Sequence, residues 1–265
     1  MRGRRGAGAL AAAVCLVAAG PAAAGATGAP LPADGAPDAP LPATGKAAPP
    51  VAAPSLRQGA TAAKIVAATS ARTRPGARAG RVVWFAHTTT PWAGGPQQLL
   101  VLGSHDDAAG RRWLRVLLPI RPNGTSAWIP RDRVRLLRLR TWISVSLRRR
   151  TVTLYRNGRR LARSRAVIGA PATPTPRGLA AVYERAAQRP ADGFLGPWAL
   201  HLTALSDVLD DYGGGPGRVA IHGRDGASLL DPLGSARSHG CIRISDRAVR
   251  RLARLAPPGT PVRIR

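Results

Sequence analysis

Between Thr141 and Gly169 the sequence TWISVSLRRRTVTLYRNGRRLARSRAVIG alternates apolar and polar residues. Ile143, Val145 and Leu147 take one side, Val152 and Leu154 repeat the pattern, and Asn157-Gly158 supplies a turn. Alternate strand residues face opposite sides, so a period of two means a sheet with one buried face. WALHLT and GRVAIHG extend the strand pattern, and GAPATPTPRG between them and the first hairpin is a proline-rich loop. SDRAVRRLARLAPPG breaks the pattern once. Ser245 or Asp246 is placed to cap a helix whose Val249, Leu252, Ala253 and Ala256 share a face, and Pro257 stops it. PVRIR closes as a strand. The C-terminal half is therefore mainly β with one clear helix.

Upstream, QQLLVLGS, RRWLRVLLPI and TSAWIPRDRV are β-rich runs, with Asn123-Gly124 as a hairpin signal between the last two. About five short strands over residues 64–138 fit a small β-barrel. The run WLRVLLPIRPNGTSAWIPRDRV resembles the SH3-like modules attached to bacterial wall enzymes. Residues 25–63 are mostly Ala, Pro and Gly, cannot bury enough apolar surface to offset ordering entropy, and are expected to form a disordered linker. Residues 1–24 carry a basic start, MRGRR, a short apolar core and small residues at Ala22–Ala24. That is the pattern of a secretory signal peptide; the alternative is an uncleaved anchor. Cleavage near Ala24 removes Cys15 and leaves one cysteine, no internal disulfide and no stable membrane span.

The chain carries 40 Lys plus Arg against 13 Asp plus Glu, a net charge of +27, and lysine occurs only at Lys46 and Lys64. Such a charge favours polyanionic surroundings. No zinc finger, helix-turn-helix or aromatic RNA-binding motif accompanies it, which points away from nucleic acid and towards an anionic cell wall or lipid surface.

The remaining cysteine, Cys241, lies in RVAIHGRDGASLLDPLGSARSHGCIRIS with His222 and His239. A thiol attacks carbonyl carbon as its thiolate, and a neighbouring imidazole removes the proton. His222 ends an apolar strand, a rigid mount for a base. Gly240 permits a tight backbone that turns amides towards a bound carbonyl. Fifteen residues separate His222 from Ser238, enough to bring the two ends together. Two other readings stand beside this one. Cys241 alone would suit a buried apolar position, and His222, His239 and Cys241 are ligand types for zinc, though no second cysteine or H-x-x-x-H pair accompanies them. His201 is expected to be a strand side chain with a satisfied hydrogen bond; His87 and His105 fall in the upstream β-region without a role.

His222, its loop, and Ser238-His239-Gly240-Cys241-Ile242-Arg243 resemble the signature of the L,D-transpeptidase (YkuD-type) catalytic domain. The resemblance covers about Thr141 to Arg265, within a catalytic domain bounded at 139–265. It implies a β-sandwich with the thiol in a cleft, Cys241 as nucleophile, His222 as base and the Gly223 carbonyl orienting the imidazole. Gly240 and Cys241 amides, with His239, would stabilise the oxyanion. Ser238 and Arg243 are implied at the substrate, Arg243 either holding a carboxylate or tying the loop down. No cofactor or metal is implied. The implied partner is the peptidoglycan stem peptide. Cysteine attacks the carbonyl of the third residue of a tetrapeptide stem, D-alanine leaves, and an amine of a second stem resolves the thioester as a 3→3 cross-link. Resolution by water, an L,D-carboxypeptidase, and a catalytically silent wall-binding protein are the alternatives. A segment starting near Arg140 contains the motif and its strands and is expected to fold alone.

Overall fold

The computed structural model describes residues 49–189, 193–211 and 215–265. The signal peptide expected over 1–24 and most of the linker lie outside the described residues. The linker boundary moves, because residues up to 63 are not all irregular. The Val51 amide donates to Ser104 Oγ at 2.8 Å, and β1 (Ala60–Ile65) is an inner strand with Ala62 and Ala63 fully buried.

Seven antiparallel strands form the upstream module: β1, then β2 (Thr69–Arg72), β3 (Val82–Ala86), β4 (Gln98–Asp106), β5 (Arg112–Leu117), β6 (Ser126–Pro130) and β7 (Val134–Leu139). Their order is β3-β2-β6-β5-β4-β1-β7, two strands more than the sequence pattern indicates. The sheet curls around Ile65, Leu99, Val101, Leu114, Val116 and Ile129. Among the described residues no ladder joins β3 to β7, so the expected barrel is an open curl.

The second region holds β8 (Thr141–Ser146), β9 (Thr151–Arg156), β10 (Arg159–Arg165), β11 (Ile168–Gly169), β12 (Gly178–Ala187), β13 (Trp198–Leu205), β14 (Arg218–His222), β15 (Ala236–Ser238), β16 (Ile242–Arg243), α1 (Asp246–Leu255) and β17 (Pro261–Ile264). Eight strands run in the order β10-β9-β8-β17-β12-β13-β14-β16. β12 is the corner. Its residues 178–181 pair with β17, its residues 182–187 pair with β13, and the register shifts between Val182 and Glu184. The change of partner folds the sheet over on itself. Ile143, Val145, Val152 and Leu154 of one half then share a core with Leu200, Leu202, Val219 and Ile221 of the other. Helix α1 seals this core with Val249, Leu252 and Ala253. Ser245 is its N-cap position but makes no side-chain cap bond.

The two regions are not independent. Pro50–Arg265 is one compact unit. Ala60, Ala62, Leu100, Leu117 and Leu139 of the module form a common cluster with Ala181 of β12, and Leu179 packs against it. Asn123, expected only as a turn residue, docks on the second region. Its Nδ2 donates to the Leu205 carbonyl at 2.7 Å, and its Oδ1 accepts from the Leu205 amide at 2.8 Å. Arg121 beside it donates to the carbonyls of Ser206, Leu209 and Pro216.

Candidate active site

His222 is the last residue of β14. Across antiparallel β13 it faces Ala199, and across parallel β16 it faces Arg243. Cys241 immediately precedes β16, so the thiol-bearing residue leads into the strand that pairs with the end of β14. The histidine is 1% exposed. Its Nδ1 lies 2.8 Å from the Gly223 carbonyl oxygen. A carbonyl only accepts, so Nδ1 carries the proton and Nε2 keeps its lone pair. Burial lowers the pKa of His222 from 6.5 to about 3, the positive charge of Arg243 adds to the shift, and the carbonyls of Gly223 and Leu195 oppose it. At neutral pH the ring is an uncharged proton acceptor.

The turn after His222 is clamped. Asp246, in the first turn of α1, accepts the Arg224 amide on Oδ1 at 2.9 Å, so its carboxylate holds the loop rather than the helix end. A Cβ at position 223 would collide with Asp246 Oδ1 and come within 2.9 Å of Pro197 Cδ, which restricts the position to glycine.

Cys241 is half-buried and in no disulfide. The loop before it is fastened from inside. Ser238 Oγ donates to the Cys241 carbonyl at 2.6 Å and accepts from the Gly240 amide at 3.2 Å. Thr173 Oγ1 donates to the Ser238 carbonyl at 3.0 Å, and Thr175 Oγ1 donates to the Gly240 carbonyl at 2.8 Å. Both threonines come from the proline-rich loop GAPATPTPRG. Gly240 has φ +111°, which an L side chain rarely adopts. His239 is exposed.

Ser238 and Arg243, implied at the substrate by the resemblance, direct their polar groups into the protein. Ser238 is 1% exposed and Arg243 4%. Arg243 Nη1 donates to Asp231 Oδ2 at 2.5 Å, and its guanidinium lies 4.7 Å from the centroid of Phe194. Phe194 in turn stands 6.2 Å from the His222 ring. Asp231, Phe194, Thr173, Thr175 and Asp246 were missed in the sequence; they lie in loops and at a helix start, where no periodicity singles them out.

The face that His222 shares with Ala199 continues along β13. His201 pairs with Ala220 and Glu184, so it continues the row of His222 and Ala199. Its Nδ1 is buried without a hydrogen-bond partner among the described residues, so that nitrogen does not make the bond expected for this side chain, and its ring packs 5.1 Å from Trp92 of the module. Burial and the charge of Arg218 lower its pKa to about 4. Arg218 is held over the rings of Trp92 and Tyr183, at 5.4 and 5.0 Å. Glu184, 1% exposed, accepts from Thr90 Oγ1 at 2.6 Å and from the Ala93 amide. His87 and His105 pack on Phe85 and Trp128 within the module. Among the described residues no three His, Cys, Asp or Glu side chains gather as metal ligands.

Residues 140–264 match the family described as the L,D-transpeptidase catalytic domain, YkuD. A curated protein of Bacillus licheniformis bearing the name L,D-transpeptidase YkuD is 36% identical over 122 residues, 46% of this chain; the chain spans 64% of that relative's length. Among solved structures, an Enterococcus faecium L,D-transpeptidase shares 24% identity over 47% of this chain and 49% of its own, with a TM-score of 0.36. One from Mycobacterium smegmatis shares 18% over 60% and 79%, with a TM-score of 0.38.

Proposed function

We propose, from the match of residues 140–264 to the L,D-transpeptidase catalytic domain family, that this chain is a cysteine acyltransferase working on peptidoglycan stem peptides. The observation that carries the reading is the neutral His222, its Nδ1 turned to the Gly223 carbonyl, at the end of the strand that pairs with the one Cys241 leads into. His222 Nε2 takes the Cys241 proton as sulfur attacks the carbonyl of the third stem residue. The tetrahedral oxyanion is met by the amide of Cys241, with His239 nearby, in the loop fixed by Ser238, Thr173 and Thr175; the Gly240 amide expected beside it already donates to Ser238 Oγ. The C–N bond to D-alanine then breaks, and the imidazolium returns its proton to the leaving amine. A side-chain amine of a second stem attacks the thioester and restores the thiol, leaving a 3→3 cross-link.

Gly223 sets the tautomer of the base. Arg243, paired with Asp231 and stacked on Phe194, positions the loop, and its charge adds to the burial that keeps His222 uncharged. The N-terminal sequence supports export by a signal peptide, and the net charge of +27 supports an anionic wall as the surroundings. Among the described residues no helix is long and apolar enough to cross a membrane. The module is proposed as an SH3-like unit that packs on His201 and Tyr183 through Trp92.

Mass analysis of products tests the acceptor. A tetrapeptide stem with a second stem present should give the cross-linked dimer together with free D-alanine. Tripeptide and D-alanine without dimer would make the protein an L,D-carboxypeptidase, and unchanged stems would make it a silent wall-binding protein.

A further inference from the structure

On the outer face of β8, β9 and β10 lies a concavity of about 520 Å³ that the cysteine chemistry does not use. Six exposed arginines border it: Arg148, Arg149, Arg160, Arg163, Arg177 and Arg265. No Asp or Glu lines it. The ion pairs found among the described residues engage Arg111, Arg112, Arg121 and Arg243, none of these six.

The floor is made of hydroxyls. Ser144 pairs with Thr153, which pairs with Arg163, and Ser146 pairs with Thr151. The alternate residues Val145, Val152 and Leu154 face the core, so these hydroxyl side chains face outward. Thr151 and Thr153 are nevertheless buried, at 7% and 9% exposure. Long arginine stems standing along the rim account for that recess. Six like charges around one hollow repel one another, and an anion seated among them removes that repulsion.

We propose that this groove binds an extended polymer of repeated phosphodiesters. Phosphate oxygens accept paired N–H bonds from guanidinium, and the hydroxyl floor supplies further donors. A recessed floor and a lining free of Leu, Ile, Val, Phe and Trp do not suit a flat bilayer, which amphipathic surfaces engage with apolar side chains. A single aromatic residue, Tyr155, lines the groove, whereas single-stranded nucleic acid is held on stacking platforms. The site needs nothing from Cys241, so it would keep the enzyme on a phosphate-bearing polymer whether or not a substrate is bound.

The test measures binding of the full chain to poly(glycerol phosphate) over a range of salt concentrations. The triple variant Arg149→Gln, Arg160→Gln, Arg163→Gln is compared with Arg74→Gln, Arg78→Gln, Arg135→Gln, exposed module positions of equal total charge. The groove variant should lose affinity at least about ten-fold and its log–log salt slope should fall by about 2, while the module variant keeps both. Thermal melts of both variants establish that they are folded. Equal weakening by both triples would reduce the effect to net charge and overturn the proposal. So would absence of binding, or equal or tighter binding to phosphatidylglycerol vesicles or to a single-stranded oligonucleotide.

Discussion

His222 is held neutral by burial, and the guanidinium of Arg243 reinforces that state. In the proposed mechanism this uncharged ring accepts the Cys241 proton as sulfur attacks. His222→Gln removes the acceptor and should slow turnover by about 10²–10⁴-fold. His239→Gln, in the exposed loop, should leave alkylation of Cys241 at neutral pH nearly unchanged. Alkylation rates across pH decide between them: a normal profile in His222→Gln with a shifted one in His239→Gln would give the base role to the other histidine. The same burial has a consequence for stability. An unfolded chain takes up a proton at position 222 below about pH 6.5, while the folded protein resists until about pH 3. Stability should fall as pH drops through that window, by up to about 1.4 kcal/mol per pH unit from this residue, with no such contribution above it. Thermal melts from pH 7 to 4 should show the decline, and His222→Gln should make it shallower, leaving the part due to His201, whose pKa is also lowered; an unchanged slope in the variant would assign the acid sensitivity to other groups.

At the scale of elements, the strands with clean alternation were readable, and β12 was not. GLAAVYERAA contains four alanines and two charged residues, none of which favours strands by itself. It is a strand because β17 and β13 flank it and the module covers it, a tertiary cause that leaves no local pattern. Helix α1 was readable from its apolar stripe, but the role of Asp246 was not, since its partner is a backbone amide twenty-two residues away. The motif residues His222 and Cys241 stood out through spacing and resemblance. The staples Thr173 and Thr175 look in sequence like ordinary loop threonines. Thr175→Val is nearly isosteric and deletes the bonds to Gly169 and Gly240, at 2.9 and 2.8 Å. It should cost about 1–3 kcal/mol and lower kcat more than it raises KM, because the loop beside the thiol loosens. A KM effect alone would make Thr175 part of substrate binding instead.

At the scale of the molecule, a segment starting near Arg140 would leave behind contacts that the module supplies. Deleting the module would expose Leu179 and Ala181, strip Glu184 of Thr90 and Ala93, and free Arg218 from Trp92. The shortened chain should melt well below the full chain and expose apolar surface to a dye; an equal melting temperature with full thiol reactivity would restore independent folding. The account as a whole rests on sulfur as the acyl carrier. Intact-mass measurement of the full chain, quenched in acid during turnover of a tetrapeptide stem, tests this most directly. It should show an adduct equal to the tripeptide acyl group, mapped to Cys241 and absent in Cys241→Ala. D-alanine released without any adduct on Cys241, or an adduct that persists in Cys241→Ala, would contradict it.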